Sequence, residues 1–227
     1  HEVNSLREIV MGRYDNISIY TTPTDINIGG LDILLLPWIT QSNYERSIDA
    51  LRDTKSEIIM GHLDLVGFEE RKGSFSTHGM EAKTFEKFDT VFSGHFHHQS
   101  IVGNIHYLGA FTEHSWADYN DPRGFHILDT ETRQTEFYDN PYTMFQMISY
   151  DDAKDKDIIS TIKTMDFTHT KNTYVKIVCS SKTNPYAFDT MFDKLYKAGP
   201  INISVVEDIS TFADNEETTE IDQAEET

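Results

Sequence analysis

Apolar and polar positions along the chain follow two periods, and the switches between them outline the elements. Residues 5–11 read as the end of a helix, and short strands are expected at Ile17–Tyr20 and Leu31–Leu36. The longest apolar stretch, Ile33 to Ile39, has the length and branching of a buried strand. Tyr44, Ile48 and Leu51 then recur at helical spacing and predict a helix over 43–53, with Ser42 or Asn43 as its cap. A strand over Ser56–Met60 runs into Gly61-His62. A helix is predicted over Met80–Phe88, with Phe85 and Phe88 on one face. The strand Thr90–Ser93 runs into Gly94-His95-Phe96-His97-His98. Further strands are expected at Ile101–Leu108 and Gly124–Asp129. The turn Asn120-Asp121-Pro122-Arg123-Gly124 punctuates them, and residues 132–139 return antiparallel to Gly124–Asp129.

Beyond Pro141 the pattern changes to strand (Thr143–Ser149), amphipathic helix (Asp151–Met165), strand (Thr173–Ser180), helix (Asn184–Ala198) and strand (Ile201–Val206). Asn184 is the expected cap of the second helix and Pro185 its first residue. This βαβαβ block reads as a small α/β unit of its own. Residues 207–227 carry nine acids and no Lys or Arg, too polar to bury anything, and read as a linker or tail. The expected organisation is therefore 1–140, 141–206 and 207–227.

Composition adds limits. The chain has 227 residues and a net charge of −19, from 38 acids against 19 bases; without the tail, 29 acids face 19 bases, a net of −10. A protein that holds nucleic acid through diffuse basic charge is thereby disfavoured. One that grips phosphates through bound cations is not, because a divalent ion can be the largest charge in a site. Apolar runs are too short for a membrane span. The single cysteine, Cys179, sits in an apolar run and reads as a reduced core thiol.

The chemistry-bearing text is the pair of glycine-histidine units. His95 and His97 stand at i and i+2 just past a strand end, where a loop can turn both toward one ion, and Gly94 permits a tight turn there. His62 repeats the arrangement 33 residues earlier. The elements between them form one strand–helix–strand unit, so the two strand ends can lie side by side at the edge where α/β sheets bind ligands. Imidazole suits Zn, Mn and Fe, and added carboxylates favour harder ions. Either motif alone is also what unliganded histidines would show; the two together favour a metal site. His98 reads as a surface or supporting group, and His78, His106, His114, His126 and His169 as ordinary histidines. Arg123 reads as part of the turn first and a phosphate contact second. For Trp116 and Tyr119, turn packing is the simpler account.

Gly61-His62 followed by Gly94-His95-Phe96-His97 resembles the fourth and fifth motifs of the calcineurin-like metallophosphoesterases. Residues 36–38 (LPW), 61–68 (GHLDLVGF), 92–97 (FSGHFH) and 120–137 (NDPRGFHILDTETRQTEF) are similar to the SbcCD-type and meiotic-recombination-eleven-type nuclease subunits, including the T-even-type phage form. The resemblance implies a four-layer α/β/β/α sandwich with metals at one edge and a small α/β capping domain after it. It implies that His62 and His95 bind one metal and His97 the other, that His1 is the catalytic histidine and that Glu2 orients it. The cofactors implied are two Mn(II) ions, with Mg or another divalent ion as the alternative.

The family's first two motifs do not occur in the chain, and His1-Glu2 looks like the end of the third. The phosphoesterase domain is therefore expected to be incomplete at its N-terminal side, and the helices that bind a partner beyond the linker are expected to be missing as well. The implied function is a DNA exo/endonuclease subunit acting in recombination, repair and replication. The implied partners are DNA, a coiled-coil SbcC-type ATPase and a second copy of the complete subunit, in the cytoplasm of an infected bacterium. Two alternatives stay open: another two-metal phosphoesterase (a phosphodiesterase or protein phosphatase), or an inactive fragment lacking the N-terminal metal ligands.

Overall fold

The computed structural model describes residues 5–10 and 13–207, and these fall into two compact units that divide between Tyr142 and Thr143. His1, Glu2 and the acidic tail after Glu207 lie outside the described residues.

The first unit opens with a short helix, α1 (Ser5–Val10). The strands β1 (Thr24–Ile28) and β2 (Leu31–Leu36) form an antiparallel hairpin, with Ile28 opposite Leu31. Its turn is Gly29-Gly30, at φ 60° and 88°, the positive values at both central residues that a two-residue hairpin turn needs and that glycine supplies without strain. The strand expected at Ile17–Tyr20 does not form. The edge strand beside β2 is β1, and Ile17 and Tyr20 stay exposed.

Next come α2 (Tyr44–Asp53) and β3 (Ile58–Gly61), then a small hairpin of β4 (Glu69–Arg71) and β5 (Ser74–Phe75). The helix predicted over Met80–Phe88 is only a 3-10 turn, Ala82–Phe85. A 3-10 turn also puts residues three apart on one face, so Phe85 and Phe88 are both buried without an α-helix. The Asn104 side chain donates to the carbonyls of Phe85 and Phe88 and closes the turn. No α-helix therefore connects the two glycine-histidine strands, contrary to the expected strand–helix–strand unit.

The strand β6 (Thr90–Ser93) is followed by β7 (Ser100–Val102) and β8 (Ile105–Tyr107). These last two replace the single strand expected over Ile101–Leu108: the chain reverses at Gly103-Asn104, with Gly103 at φ 61°. The hairpin of β9 (Gly124–Leu128) and β10 (Thr135–Asp139) completes the unit in the expected antiparallel pairing.

Six strands form one sheet in the order β1-β2-β3-β6-β8-β7, and its four central strands run parallel. Strand side chains alternate between faces, and here both faces are buried. Leu34, Leu36, Ile59 and Val91 join one core with Leu51 of α2 and the loop residues Leu63, Leu65 and Phe96. Leu31, Ile33, Ile58 and Phe92 join a second core with Leu128 of β9 packed against it. That is why 31–36 reads as an almost unbroken apolar run rather than an alternating one.

The second unit is β11 (Phe145–Asp151), α3 (Ile158–Thr164), β12 (Tyr174–Ser181), α4 (Pro185–Ala198) and β13 (Asn202–Glu207). Its three strands are parallel and lie in chain order. The α4 boundaries follow from local chemistry: Asn184 accepts from the Ala187 N–H at 3.1 Å, Pro185 opens the helix, and Gly199 ends it at φ 84°. The helix predicted over Asp151–Met165 is shorter because its acids compete for the backbone. Asp151 accepts from the Ala153 N–H at 3.2 Å and Asp155 from the Asp157 N–H at 2.9 Å. Cys179 is buried in this unit's core, and burial pushes its thiol pKa up. The fold class is α/β with a mostly parallel main sheet, and no helix among the described residues is long and apolar enough to cross a membrane.

Candidate metal centre

Pairing of β2, β3 and β6 sets Leu36 beside Gly61 and Gly61 beside Ser93. The residues that follow, Trp38, His62 and His95, therefore leave one edge of the sheet together, at the carboxyl ends of adjacent parallel strands. His62 Nε2 and His95 Nδ1 face each other at 3.1 Å, with ring centroids 5.0 Å apart and planes at 82°. Burial pushes the His62 pKa below the usual value and His95 adds to the effect, which favours the neutral, ligand-competent ring.

The two glycines make room for this meeting. A Cβ on Gly61 would stand 2.9 Å from the Leu36 carbonyl oxygen, and one on Gly94 would stand 3.2 Å from His62 Nδ1. The role expected of Gly94, freedom for a tight turn, is not the one it plays. The left-handed residue is His95 itself, at φ 74°, a conformation uncommon for a side-chain-bearing residue and found where surrounding structure holds it.

The carboxylate of Asp64 lies beyond the second nitrogen of His95, with Oδ1 3.9 Å from His95 Nε2. That oxygen is buried and has no hydrogen-bond partner. A carboxylate behind the distal nitrogen of a histidine is the usual support of a metal-ligating imidazole.

His97 has its own carboxylate. Its Nδ1 lies 3.3 Å from Asp118 Oδ1, and its ring lies 5.0 Å from that of His114. Asp118 is 3% exposed. It also accepts from the N–H groups of His114 and Ser115 and from Arg123 Nη2 at 3.0 Å. Burial works against its charge, but these N–H groups, Arg123 and His97 outweigh it and lower its pKa.

Arg123 is only 5% exposed, so the structure does not present it to a phosphate. It donates instead to the His97 carbonyl, to Asp118 and to Asp121. Asp121 in turn meets His98 Nδ1 at 3.0 Å, and His98 Nε2 lies 3.5 Å from Glu69. The two residues after Phe96 are thus held by a buried arginine and its acids. Sequence reasoning missed Asp64, Asp118 and this use of Arg123, which it read first as part of the turn over 120–124.

Does this donor set fit a metal? Two imidazole nitrogens bound at about 2.0–2.1 Å to one ion, at angles between octahedral and tetrahedral, sit about 2.9–3.4 Å apart. The 3.1 Å between His62 Nε2 and His95 Nδ1 meets that condition. Among the described residues, no group of three or more His, Cys, Asp or Glu converges as a complete ligand set. The structure therefore brings His62 and His95 together as one half-site, sets His97 apart on its own carboxylate, and does not describe His1.

No family model matches the chain. It is 35% identical over 141 residues to exonuclease subunit 1 of Enterobacteria phage T4, an overlap of 62% of this chain and 41% of that protein. It is 27% identical over 136 residues to a subunit of the SbcCD nuclease of Staphylococcus epidermidis, covering 48% of this chain and 36% of that protein. The matches thus take in about two fifths of the length of these relatives. The chain is a homologue of phage and bacterial nuclease subunits, the same group that residues 36–38, 61–68, 92–97 and 120–137 resemble.

Proposed function

We propose that the chain is part of a metal-dependent nuclease subunit that hydrolyses phosphodiester bonds in DNA. The observation that carries this reading is the nitrogen-to-nitrogen meeting of His62 and His95 at adjacent parallel strand ends, in a chain homologous to two nuclease subunits. In this reading His62 and His95 hold one divalent ion through Nε2 and Nδ1, and His97 helps to hold a second. Mn(II) is the first candidate and Mg(II) the alternative. When bound, such a pair acidifies a water and neutralises the charge of the phosphodiester.

The protein's own groups then have separate tasks. Asp64 steadies the distal nitrogen of His95, Asp118 fixes the ring of His97, and Arg123 holds the loop between them. His1 is proposed to protonate the leaving oxygen, oriented by Glu2. Residues 141–206 are proposed as a capping domain and 207–227 as a linker toward a coiled-coil ATPase partner, with a homodimer as the working form in recombination and repair.

The test is Mn(II)-dependent degradation of linear duplex DNA by the natural gene product, with His62→Ala as control. Cleavage that requires the ion and disappears in the variant supports the reading. A folded, metal-loaded protein that leaves DNA intact but hydrolyses another phosphoester would replace it.

A further inference from the structure

The indole of Trp38 stands in solvent at 56% exposure while its ring meets both histidines, with centroids 5.0 Å from His62 and 5.4 Å from His95. Beside it lies a pocket of about 230 Å³, lined by Trp38, Gln41, Tyr44, His62, Asp64 and Met80 among others. Tyr44, which helical spacing assigns to the buried stripe of α2, is 51% exposed instead. Two large aromatic side chains are thus left uncovered around one opening next to the histidine pair.

The loop that carries Trp38 is built to hold its shape. Pro37 fixes the backbone before it. The Asn43 side chain, placed to cap α2, does not cap it. It donates to the Trp38 carbonyl at 2.9 Å and accepts from the Thr40 N–H at 2.7 Å, while the Asn43 N–H donates to the Thr40 carbonyl at 3.1 Å. A surface so pre-ordered loses little entropy when something binds to it.

The lining selects the occupant. Among the described residues it includes no Lys or Arg, so it is not built for a phosphate. It offers aromatic faces with the amide of Gln41 beside them, and these match the flat face and polar edge of a nucleobase. Within a duplex that face is covered by the neighbouring base pairs and the polar edge by pairing, so an unpaired base is the one that presents both.

We propose that Trp38 and the adjoining pocket form a stacking subsite for an unpaired nucleobase, next to the phosphate that the histidine pair would engage. The subsite rests on the nuclease reading and adds to it a base-recognising residue, Trp38.

The test uses the full chain in a Trp116→Phe background, so that Trp38 is the sole tryptophan. A short oligothymidylate and the matched abasic sugar–phosphate oligomer are titrated in Ca(II), following indole fluorescence. The base-bearing strand is expected to quench Trp38 and to bind about 5- to 150-fold more tightly than the abasic one. Trp38→Ala and Trp38→Phe, which then carry no indole, are titrated with the same strands bearing a terminal fluorophore and read by anisotropy: alanine should bring the two strands to equal affinity, and phenylalanine should keep part of the difference. Equal affinity of both strands for the unsubstituted chain, or no binding of either, overturns the subsite; this comparison needs no variant. Base-dependent quenching with no Mn(II)-dependent cleavage would leave the subsite standing and remove the nuclease reading. Cleavage with equal affinities would do the reverse.

Discussion

His62 and His95 stand 33 residues apart in sequence and meet nitrogen to nitrogen at 3.1 Å because β3 and β6 are parallel neighbours in register. Neither ring is carried by a regular element: His62 sits one residue past β3 and His95 two residues past β6, in a left-handed backbone conformation. A geometry that depends on both strand ends at once should fail when either side chain is removed.

His62→Ala and His95→Ala are each expected to weaken Mn(II) binding by more than the roughly 10- to 100-fold that follows loss of an outer carboxylate. Asp64→Asn should fall within that range. Titration of the full chain with Mn(II), read by electron paramagnetic resonance of the free ion, separates the three. Equal affinity in His62→Ala and the unsubstituted chain would remove the pair from the metal site.

Gly94→Ala tests the close approach. The added methyl would lie 3.2 Å from His62 Nδ1, so the imidazole must give way by a few tenths of an ångström. The backbone at Gly94 is not left-handed, so the methyl brings no such backbone penalty. We expect weaker Mn(II) binding with a melting temperature within a few degrees of the parent. A large loss of stability with unchanged metal affinity would assign Gly94 to the fold and not to the site.

Much of this architecture was legible because it follows from short-range rules. The apolar run at 31–36, the return hairpin at 124–139 and the Asn184-Pro185 start of α4 carry their own signals. The misread elements are those in which a distant partner decided the outcome. The apolar positions near Ile17 read as a strand, but the edge strand of the sheet is β1. Gly29-Gly30 was the missed clue to it. Asn104 closes the turn that spacing alone extends to a helix over 80–88. At the site, the histidines were visible as motifs, whereas their carboxylates were not. Asp64 and Asp118 lie 31 and 21 residues from His95 and His97 in a chain rich in acids, and no local pattern marks which acid folds back to which ring.

Asp152 supplies a pH dependence in the second unit. Its carboxylate is buried and accepts from the N–H groups of Thr183 and Asn184, the hydroxyls of Thr183 and Ser181, and Tyr150. Burial opposes the charge, but these donors win and hold its pKa well below the usual carboxylate value. A depressed folded-state pKa adds stability that is fully present above the unfolded value, near pH 4, and is lost as pH falls below it. Hydrogen exchange across 174–190 should therefore accelerate in acid. In Asp152→Asn it should be faster at neutral pH and depend less on acid. Identical pH profiles for the two proteins would contradict this assignment.

Arg123 offers a sharper energetic test, because it is buried with two carboxylates and the His97 carbonyl as its partners. Deleting one member of a buried ion network leaves the remaining charges uncompensated, at a cost of about 3–5 kcal/mol. Arg123→Met keeps much of the volume and should show that loss in urea denaturation. Adding Asp118→Asn and Asp121→Asn should recover part of it, since the stranded charges are then gone. Arg123→Lys keeps the charge but cannot span three acceptors with a planar fork; it is expected to retain more stability than Met while still loosening the loop that carries His97. Mn(II) affinity in the lysine variant distinguishes the two roles. If affinity matches the parent while stability drops, Arg123 serves the fold alone. If affinity falls further than the stability loss explains, it positions His97.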